Sequence, residues 1–517
     1  MSNERKTISI LRKCESLLVI IPALFPAAFL LKHLIPENFY AVYSTLGYAC
    51  IAALLVLYVL HLLCVRERRP AELILMTVYA LWLLVSRVLN SVYSSGGSVS
   101  AWLRGIMSGT AEAHFDLTLV LDIGLCLLIF SMGSFADARG RRRWLDIFSA
   151  LYGALAFVVS CAGIFVALTN TLIVLSPEYV SSYVNKSNLV LLSNNRNISA
   201  VWIYIGFCFM LYQFFACRKK LWRLPILPAL LAETVVIALC HCRTILFASY
   251  MSAGMLAMLL VLRRMKGKKT GAVIPAVCAA AVAGLALSYV VLDCIPGLVA
   301  GASEVTVPRY CEKYGDTQFV FGPVQIGVYT PEPESEQDET AGIMEAELKT
   351  DLTDKRDLLH DLKTFSERTY LWQSIIPAIH DRPATLFIGN TRDQLMELPN
   401  YYAQLQTPIR RNHEHIHNYL LQTLLLSGIP GLLLVASISV LLILRMIRMF
   451  FDKSHGMDFG VKILVIPVSG LILYGLFEAY IFTGIDLRAV YFFLLAGVVL
   501  GEYRSAFSPD NIKSPEI

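Results

Sequence analysis

The chain has 517 residues, of which 56% are hydrophobic and only 16% are charged, and its mean hydropathy is +0.59. This composition is too apolar for a soluble globular protein. The formal net charge of +5 comes mostly from short basic segments between apolar runs, so it bears on membrane orientation and gives no reason to expect a nucleic-acid partner.

Apolar runs of about 20 residues, each long enough to cross a hydrocarbon core of roughly 30 Å as a helix, recur along nearly the whole chain. The predicted fold class is therefore an all-α polytopic integral membrane protein with about 12 transmembrane helices. The predicted spans are 16–35, 40–64, 71–92, 116–135, 145–168, 199–217, 224–241, 244–262, 271–293, 416–444, 460–480 and 487–502. Connections rich in Lys and Arg fall on one side, which the positive-inside rule makes cytoplasmic together with both termini.

One connection is far longer than the others and must form a large extracytoplasmic loop between helices 9 and 10. The chain is thus divided into transmembrane helices 1–9 (1–293), the loop domain (294–415), helices 10–12 (416–502) and a cytoplasmic tail (503–517). Within the loop, residues 330–347 carry seven carboxylates and no basic residue, as solvated segments do. Cys294 and Cys311 share this loop, and whether they pair is left open.

A histidine cluster leads into the tenth span. His413-Glu414-x-x-His417 matches the zinc-protease signature, in which two histidines one helical turn apart hold the metal and the glutamate activates water. No third ligand follows at a familiar spacing, because Glu478 and Asp486 are the only nearby downstream acids at a suitable depth. A five-residue pattern arises easily in a histidine-rich stretch, so a membrane zinc protease is kept as an alternative and no metal is expected.

A longer pattern runs from His417-Asn418 through nine residues to Gly428-x-x-Gly431. It closely resembles the histidine motif of the O-antigen ligase and polymerase family of membrane glycosyltransferases. The two glycines and Pro430 lie inside the span, where they are expected to kink the helix or to allow close helix approach.

Three arginine segments extend the resemblance over about residues 194–431. Arg368-Thr-Tyr-Leu-Trp372, with a Pro and a Gly following, resembles the family segment in which an Arg and a Trp precede a Pro and a Gly. His241-Cys-Arg243-Thr opens the eighth span from the outside and resembles a Ser-Arg-small segment, with Cys in place of the usual Ser. Arg196 sits where the family carries an outward-facing arginine.

The resemblance implies transfer of a glycan from undecaprenyl diphosphate to an acceptor hydroxyl, with inversion at the anomeric carbon and without a metal or cofactor. The implied partners are the undecaprenyl-diphosphate-linked glycan donor, a glycan or lipid acceptor, and the lipid bilayer. The implied location is a bacterial cytoplasmic membrane, with the active site on the extracytoplasmic face. A ligase, which transfers finished glycan to another molecule, and a polymerase, which joins repeat units, both fit these residues.

The residue types suit this chemistry independently of the family. A diphosphate needs counter-charges, and Arg243, which opens an apolar helix, is the best candidate because a guanidinium can bind phosphate oxygens in pairs; a snorkelling arginine at the headgroup level is the alternative. The acceptor hydroxyl needs a base, and a neutral imidazole at His417 can take its proton at physiological pH. The other candidate substrate-binding residues are Arg368, Arg196, Asn418 and Trp372. Arg368 is expected to arrive when the outer loop closes over the helix mouths.

A flippase or other transporter is the second alternative, because twelve spans are common in that class. Such a protein would be expected to carry charged residues at mid-membrane depth and to have little outer domain. Here the charge is expected at the outer edge of the membrane, and the longest loop lies outside.

Overall fold

The computed structural model describes residues 70–94, 98–100, 104, 118–135, 138–176, 180–185, 188–191, 196–217, 219–265, 268, 270–314, 319–321, 324–328, 368–373, 375–390, 416–452, 457–483 and 487–507. The predicted first two spans, the acidic segment of the outer loop, His413 and Glu414 lie outside these residues.

The described part of the chain is mostly helical, as predicted. Its helices are α1 (Ala71–Ser94), α2 (Thr118–Phe135), α3 (Ala138–Thr169), α4 (Arg196–Ala216), α5 (Ile226–Leu239), α6 (Arg243–Arg264), α7 (Thr270–Tyr314), α8 (Arg368–Gln373), α9 (Ile375–Asp381), α10 (Thr385–Ile388), α11 (Tyr419–Phe451), α12 (Phe459–Ile463), α13 (Val465–Gly475) and α14 (Leu487–Ala506). Seven helices within the described residues are long and apolar enough to cross a membrane, namely α1, α3, α4, α6, α7, α11 and α14. Shorter apolar segments lie at Asp122–Ser134, Ile226–Leu239 and Phe459–Gly475, so each predicted span from the third to the twelfth overlaps an apolar helical segment.

Helix α7 continues across the predicted start of the large loop. The boundary at residues 293 and 294 falls inside a single helix of 45 residues that ends at Tyr314. Pro296 and Gly297 break the apolar pattern in the sequence, but the helix accommodates both. At 1.5 Å per residue α7 is about 67 Å long, more than twice the roughly 30 Å hydrocarbon core. Cys294 and Cys311 lie about 25 Å apart along this helix, which rules out a disulfide between them because their Cα atoms would need to come within about 7 Å.

A small antiparallel sheet joins two of the predicted outer loops and was not predicted. Strands β1 (Thr171–Ser176), β2 (Val180–Asn185) and β3 (Asn188–Val190) come from the connection after α3, while β4 (Phe319–Phe321) and β5 (Val324–Val328) follow α7. The strand order is β3-β2-β1-β5-β4. In the central strand, Ile173 pairs with Ser182 on one side and with Ile326 on the other. The all-α assignment therefore holds for the membrane helices and not for these connections.

Helix α11 is broken at Gly428, where φ is +69° and ψ is −173°. The break confirms the prediction made from the glycines of the motif. The chain around Gly389, which also has positive φ (+67°), packs directly on the break. A Cβ on Gly428 would lie 2.5 Å from the carbonyl oxygen of Phe387, and one on Gly389 would overlap the backbone of Leu426. Only glycine fits at either position.

A break in a transmembrane helix frees backbone carbonyls that lipid cannot satisfy. Three consecutive carbonyls at this break accept hydrogen bonds from other elements: Leu425 O from Asn390 N at 2.6 Å, Leu426 O from the Arg87 guanidinium, and Ser427 O from Trp82 Nε1 at 2.7 Å. Helix α1 and the segment ending at Asn390 thus hold the N-terminal part of α11, residues 419–427, in place.

Among the described residues, the ionisable side chains buried within apolar helices include Arg87 and Glu233, and Glu233 lies in the middle of its helix, so charge is not confined to the helix ends. Arg87 in α1 is 2% exposed, and Glu233 in α5 is completely buried. Arg87 donates a hydrogen bond to the backbone carbonyl of Leu426 at the break in α11. Neither carboxylate oxygen of Glu233 has a hydrogen-bond partner among the described residues.

Candidate active site

His417 lies in the turn that leads into α11. Its backbone has φ of +53°, a left-handed conformation that costs a residue other than glycine about 1–2 kcal/mol and indicates a constrained position. Asn418 caps the helix: its Oδ1 accepts hydrogen bonds from the backbone N–H groups of Leu420 and Leu421, both at 3.0 Å, and its Nδ2 donates to Leu476 O at 3.0 Å. These contacts give Asn418 a structural role, and its predicted contact with substrate stays a prediction.

Trp372 holds the residue before the histidine. Its indole N–H, at the end of α8, donates to the carbonyl oxygen of Ile416 at 3.0 Å. The N–H of Ile416 in turn donates to Oε1 of Gln422 at 2.9 Å, and the Ile416 side chain is fully buried. Trp372 therefore fixes the turn that carries His417, and its predicted contact with a sugar stays a prediction.

Glu478 joins the residues that the sequence placed in separate motifs. This carboxylate follows α13 in a short turn and is 7% exposed. Its Oε2 lies 3.0 Å from Nδ1 of His417, and its Oε1 lies 2.8 Å from Nη2 of Arg368. Nδ2 of Asn197, in the first turn of α4, donates to the same Oε1 at 3.3 Å. Arg368 is already at the site in this structure, so the predicted loop closure is not needed to bring it there.

The surroundings of Glu478 favour its ionised form. Burial acts to raise the pKa of Glu478, but its contact with His417 and the charges of Arg368 and Arg488 outweigh burial and hold the pKa below its usual range. An ionised carboxylate can only accept hydrogen bonds, so Nδ1 of His417 carries the proton in this contact. The neutral imidazole then has its lone pair on Nε2.

The remaining two predicted arginines lie where α4 and α6 begin. Arg196 is the first residue of α4, and its Nη1 donates to Oδ1 of Asn188 in β3 at 2.6 Å. Arg243 is the first residue of α6 and follows Cys242, which is 2% exposed. Burial raises the pKa of the Cys242 thiol to about 11; Glu478 acts in the same direction, and the charges of Arg196 and Arg368 act to lower it. The start of α6 therefore lies beside the Glu478 cluster.

The charges around Glu478 favour the binding of an anion. Helices α4, α6 and α11 all begin at this cluster, and the positive ends of their dipoles add to the charges of the arginines. Among its described residues, the cluster has the positive charges of Arg196, Arg243 and Arg368 and one negative charge, the carboxylate of Glu478. Chemically, this site can hold a phosphate group and can take a proton on His417.

Sequence reasoning missed three residues of this cluster, namely Glu478, Arg488 and Asn197. Glu478 was weighed only as a metal ligand, and Arg488 and Asn197 were not singled out. The sequence feature that could have pointed to Glu478 and Arg488 is their occurrence near the short connection between the last two spans, within otherwise apolar sequence. Within the described ranges, no group of three or more His, Cys, Asp or Glu side chains is arranged to hold a metal ion. Because His413 and Glu414 lie outside those ranges, the zinc-protease signature itself is not tested.

The sequence model of the O-antigen ligase family matches residues 227–436. This stretch contains Arg243, Arg368 and His417, whereas Arg196 and Glu478 lie outside it. No curated protein and no solved structure gives a significant match to the chain. With its apolar helices the chain is a multi-pass membrane protein, and its segment 227–436 is similar to the O-antigen ligase family.

Proposed function

We propose that this protein transfers a glycan from undecaprenyl diphosphate to an acceptor hydroxyl at the extracytoplasmic face of a bacterial cytoplasmic membrane. The observation that carries the proposal is the contact set of Glu478, which places His417 at 3.0 Å and Arg368 at 2.8 Å from one buried carboxylate. A base and a guanidinium held side by side are the two groups that such a transfer needs.

His417 is the general base. The acceptor hydroxyl oxygen attacks the anomeric carbon of the donor while its proton passes to Nε2 of His417. The bond between the anomeric carbon and the diphosphate oxygen breaks, and its electron pair leaves with undecaprenyl diphosphate. A single displacement of this kind inverts the anomeric carbon, and the imidazolium afterwards returns its proton to water.

Glu478 makes His417 suitable for this role. The carboxylate accepts a hydrogen bond from the N–H at Nδ1 of His417. It thereby selects the tautomer with the lone pair on Nε2 and stabilises the imidazolium that forms during transfer. The same carboxylate aligns Arg368 through Oε1. One buried residue thus couples the position of the base to the position of a phosphate-binding group.

Arg243 and Arg368 bind the diphosphate, with Arg196 as a further contact. The leaving group gains negative charge as the glycosidic bond breaks, so guanidinium groups fixed beside it stabilise the transition state more than the ground state. Arginine suits this task better than lysine because its planar fork can hold two phosphate oxygens. Arg243 is fixed by its position at the start of α6, and Arg368 by its contact with Glu478.

The direct test uses purified full-length protein, an undecaprenyl-diphosphate-linked glycan and candidate acceptors. We expect glycoside and undecaprenyl diphosphate to form in equal amounts, with no loss of rate in the presence of a metal chelator. Transfer to a second lipid-linked repeat unit identifies a polymerase, and transfer to a different lipid or glycan identifies a ligase. Absence of transfer from folded protein, or loss on chelation with recovery on adding zinc, would contradict the proposal.

A further inference from the structure

Behind Glu478, two residues of the last two spans form a support that neither the motif resemblance nor the matched family segment contains. We infer that Tyr474 and Arg488 are positioning residues that hold Glu478, and through it His417, in the geometry needed for transfer. This inference rests on the proposed function.

A chain of hydrogen bonds connects the last span to the site. Arg488 Nη1 donates to Tyr474 Oη at 3.2 Å, and Tyr474 Oη lies 3.4 Å from the backbone oxygen of Asn197. Because arginine has only donors, the hydroxyl hydrogen of Tyr474 must point to Asn197. The side chain of Asn197 then donates to Oε1 of Glu478 at 3.3 Å. Helix α14 is thereby linked through α13 to the first turn of α4 and to the carboxylate.

Aromatic packing fixes the direction of Arg488. Its guanidinium carbon lies 5.2 Å from the ring centre of Tyr480 and 6.0 Å from that of Tyr474, within the range of a cation–π interaction. The two rings are buried and their centres are 5.3 Å apart. Tyr480 is itself anchored, since its hydroxyl donates to Leu471 O. Arg488 therefore packs on the tyrosine pair and directs Nη1 at Tyr474, which favours a positioning role over direct contact with the donor.

Arg488 also acts on Glu478 through its charge. Among the described residues, the charged and titratable groups that face this carboxylate are Arg368, His417, Arg488, Tyr474 and Cys242. Three of them are basic, and removing the positive charge of Arg488 makes the carboxylate easier to protonate. Tyr474 contributes a hydroxyl link and no positive charge. Substitutions of the two residues therefore have different pH signatures.

The test compares Tyr474→Phe and Arg488→Gln in the full-length protein. Tyr212→Phe and Arg142→Gln are matched controls, because Tyr212 bonds to Asp146 and Arg142 pairs with Asp458, away from the cluster. We expect both test variants to lower kcat by about tenfold while KM for the donor changes by less than about twofold. In Arg488→Gln the acidic limb of the pH–rate profile should move to higher pH, and in Tyr474→Phe it should stay in place.

A second readout does not depend on turnover. Hydrogen exchange of backbone amides in residues 196–201 and 476–483 should be faster in both variants than in the wild type, and unchanged in 250–260 of α6. Faster exchange in these two segments would confirm that Tyr474 and Arg488 hold the region around Glu478. It would do so even if the wild type transfers no glycan, in which case only the proposed function fails. Unchanged exchange in folded Tyr474→Phe overturns the inference. So does a tenfold rise in donor KM with an unshifted acidic limb in Arg488→Gln, which would make Arg488 a donor ligand.

Discussion

Replacing Glu478 with glutamine tests the coupling at the centre of the site. Glutamine keeps the shape of the side chain but removes its negative charge. The contacts at risk are those with Nδ1 of His417 at 3.0 Å and Nη2 of Arg368 at 2.8 Å. An amide can also donate to Nδ1, so it no longer selects the tautomer that leaves the lone pair on Nε2.

The expected loss follows from the kind of contact removed. A hydrogen bond to a charged group contributes about 1.5–3 kcal/mol, and the imidazolium formed during transfer also loses its counter-charge. We expect a total of about 2–4 kcal/mol in the transition state, or roughly a thirty- to thousand-fold fall in kcat at about 1.4 kcal/mol per factor of ten. Donor KM should change much less, because the diphosphate still meets Arg243.

The assay is steady-state transfer from the lipid-linked donor, with thermal unfolding measured in the same preparation. Glu502→Gln is the matched control, since Glu502 pairs with the buried Arg141 at 2.8 Å in the last helix. This control should lose stability while the folded fraction keeps its kcat. A Glu478→Gln protein with normal kcat, or a Glu502→Gln protein equally impaired in kcat, would refute the reasoning.

Four further predictions concern the fold, the charge and the topology. Gly428→Ala should destabilise the protein by at least about 1–2 kcal/mol because of its positive φ. The control is Gly271→Ala in α7, where a Cβ meets nothing within 4 Å, and it should not lower stability in the same thermal unfolding assay. Arg243→Lys should reduce transfer nearly as much as Arg243→Ala, by about a hundred- to thousand-fold, with normal membrane insertion; near-normal turnover in Arg243→Ala would leave it a snorkelling anchor. Because the pKa of Glu478 is lowered in the folded protein, its stabilising contacts are complete above the usual carboxyl range and are lost as pH falls through the lowered value; Glu478→Gln should therefore lose less stability than the wild type on acidification. A cysteine at Ser335, outside the described residues, should react with a membrane-impermeant thiol reagent in intact cells, and reaction only after lysis would reverse the topology.

The membrane helices could be predicted because apolar length is a local property of the sequence. The helix break at Gly428 could be predicted for the same reason, since Gly428, Pro430 and Gly431 stand together. The extension of α7 past Pro296 could not, because an isolated proline and glycine signal a break that packing in the fold overrides. The sheet was not predicted because its paired residues, such as Ile173 and Ile326, are far apart in the sequence. Short strands also carry little sequence signal of their own.

The site was predicted in parts. His417, Arg368 and Arg243 were singled out because each belongs to a motif; the structure brings His417 and Arg368 to one carboxylate, and the part of all three in catalysis stays a prediction. Their common partner could not be found in this way, because Glu478 has no motif and its role depends on which side chains meet it in three dimensions. In the structure Asn418 and Trp372 hold the turn that carries His417, a role that their positions in the motifs do not reveal, and their contact with substrate stays a prediction.

The most direct test of the proposed chemistry compares His417→Ala with His413→Ala in purified full-length protein, using the undecaprenyl-diphosphate-linked glycan and its acceptor. One imidazole is sufficient for general-base transfer, so we expect His417→Ala to abolish formation of glycoside and undecaprenyl diphosphate while His413→Ala retains appreciable activity. Equal loss in both variants, together with stoichiometric zinc in the wild type, would contradict the proposal and favour the zinc-protease signature.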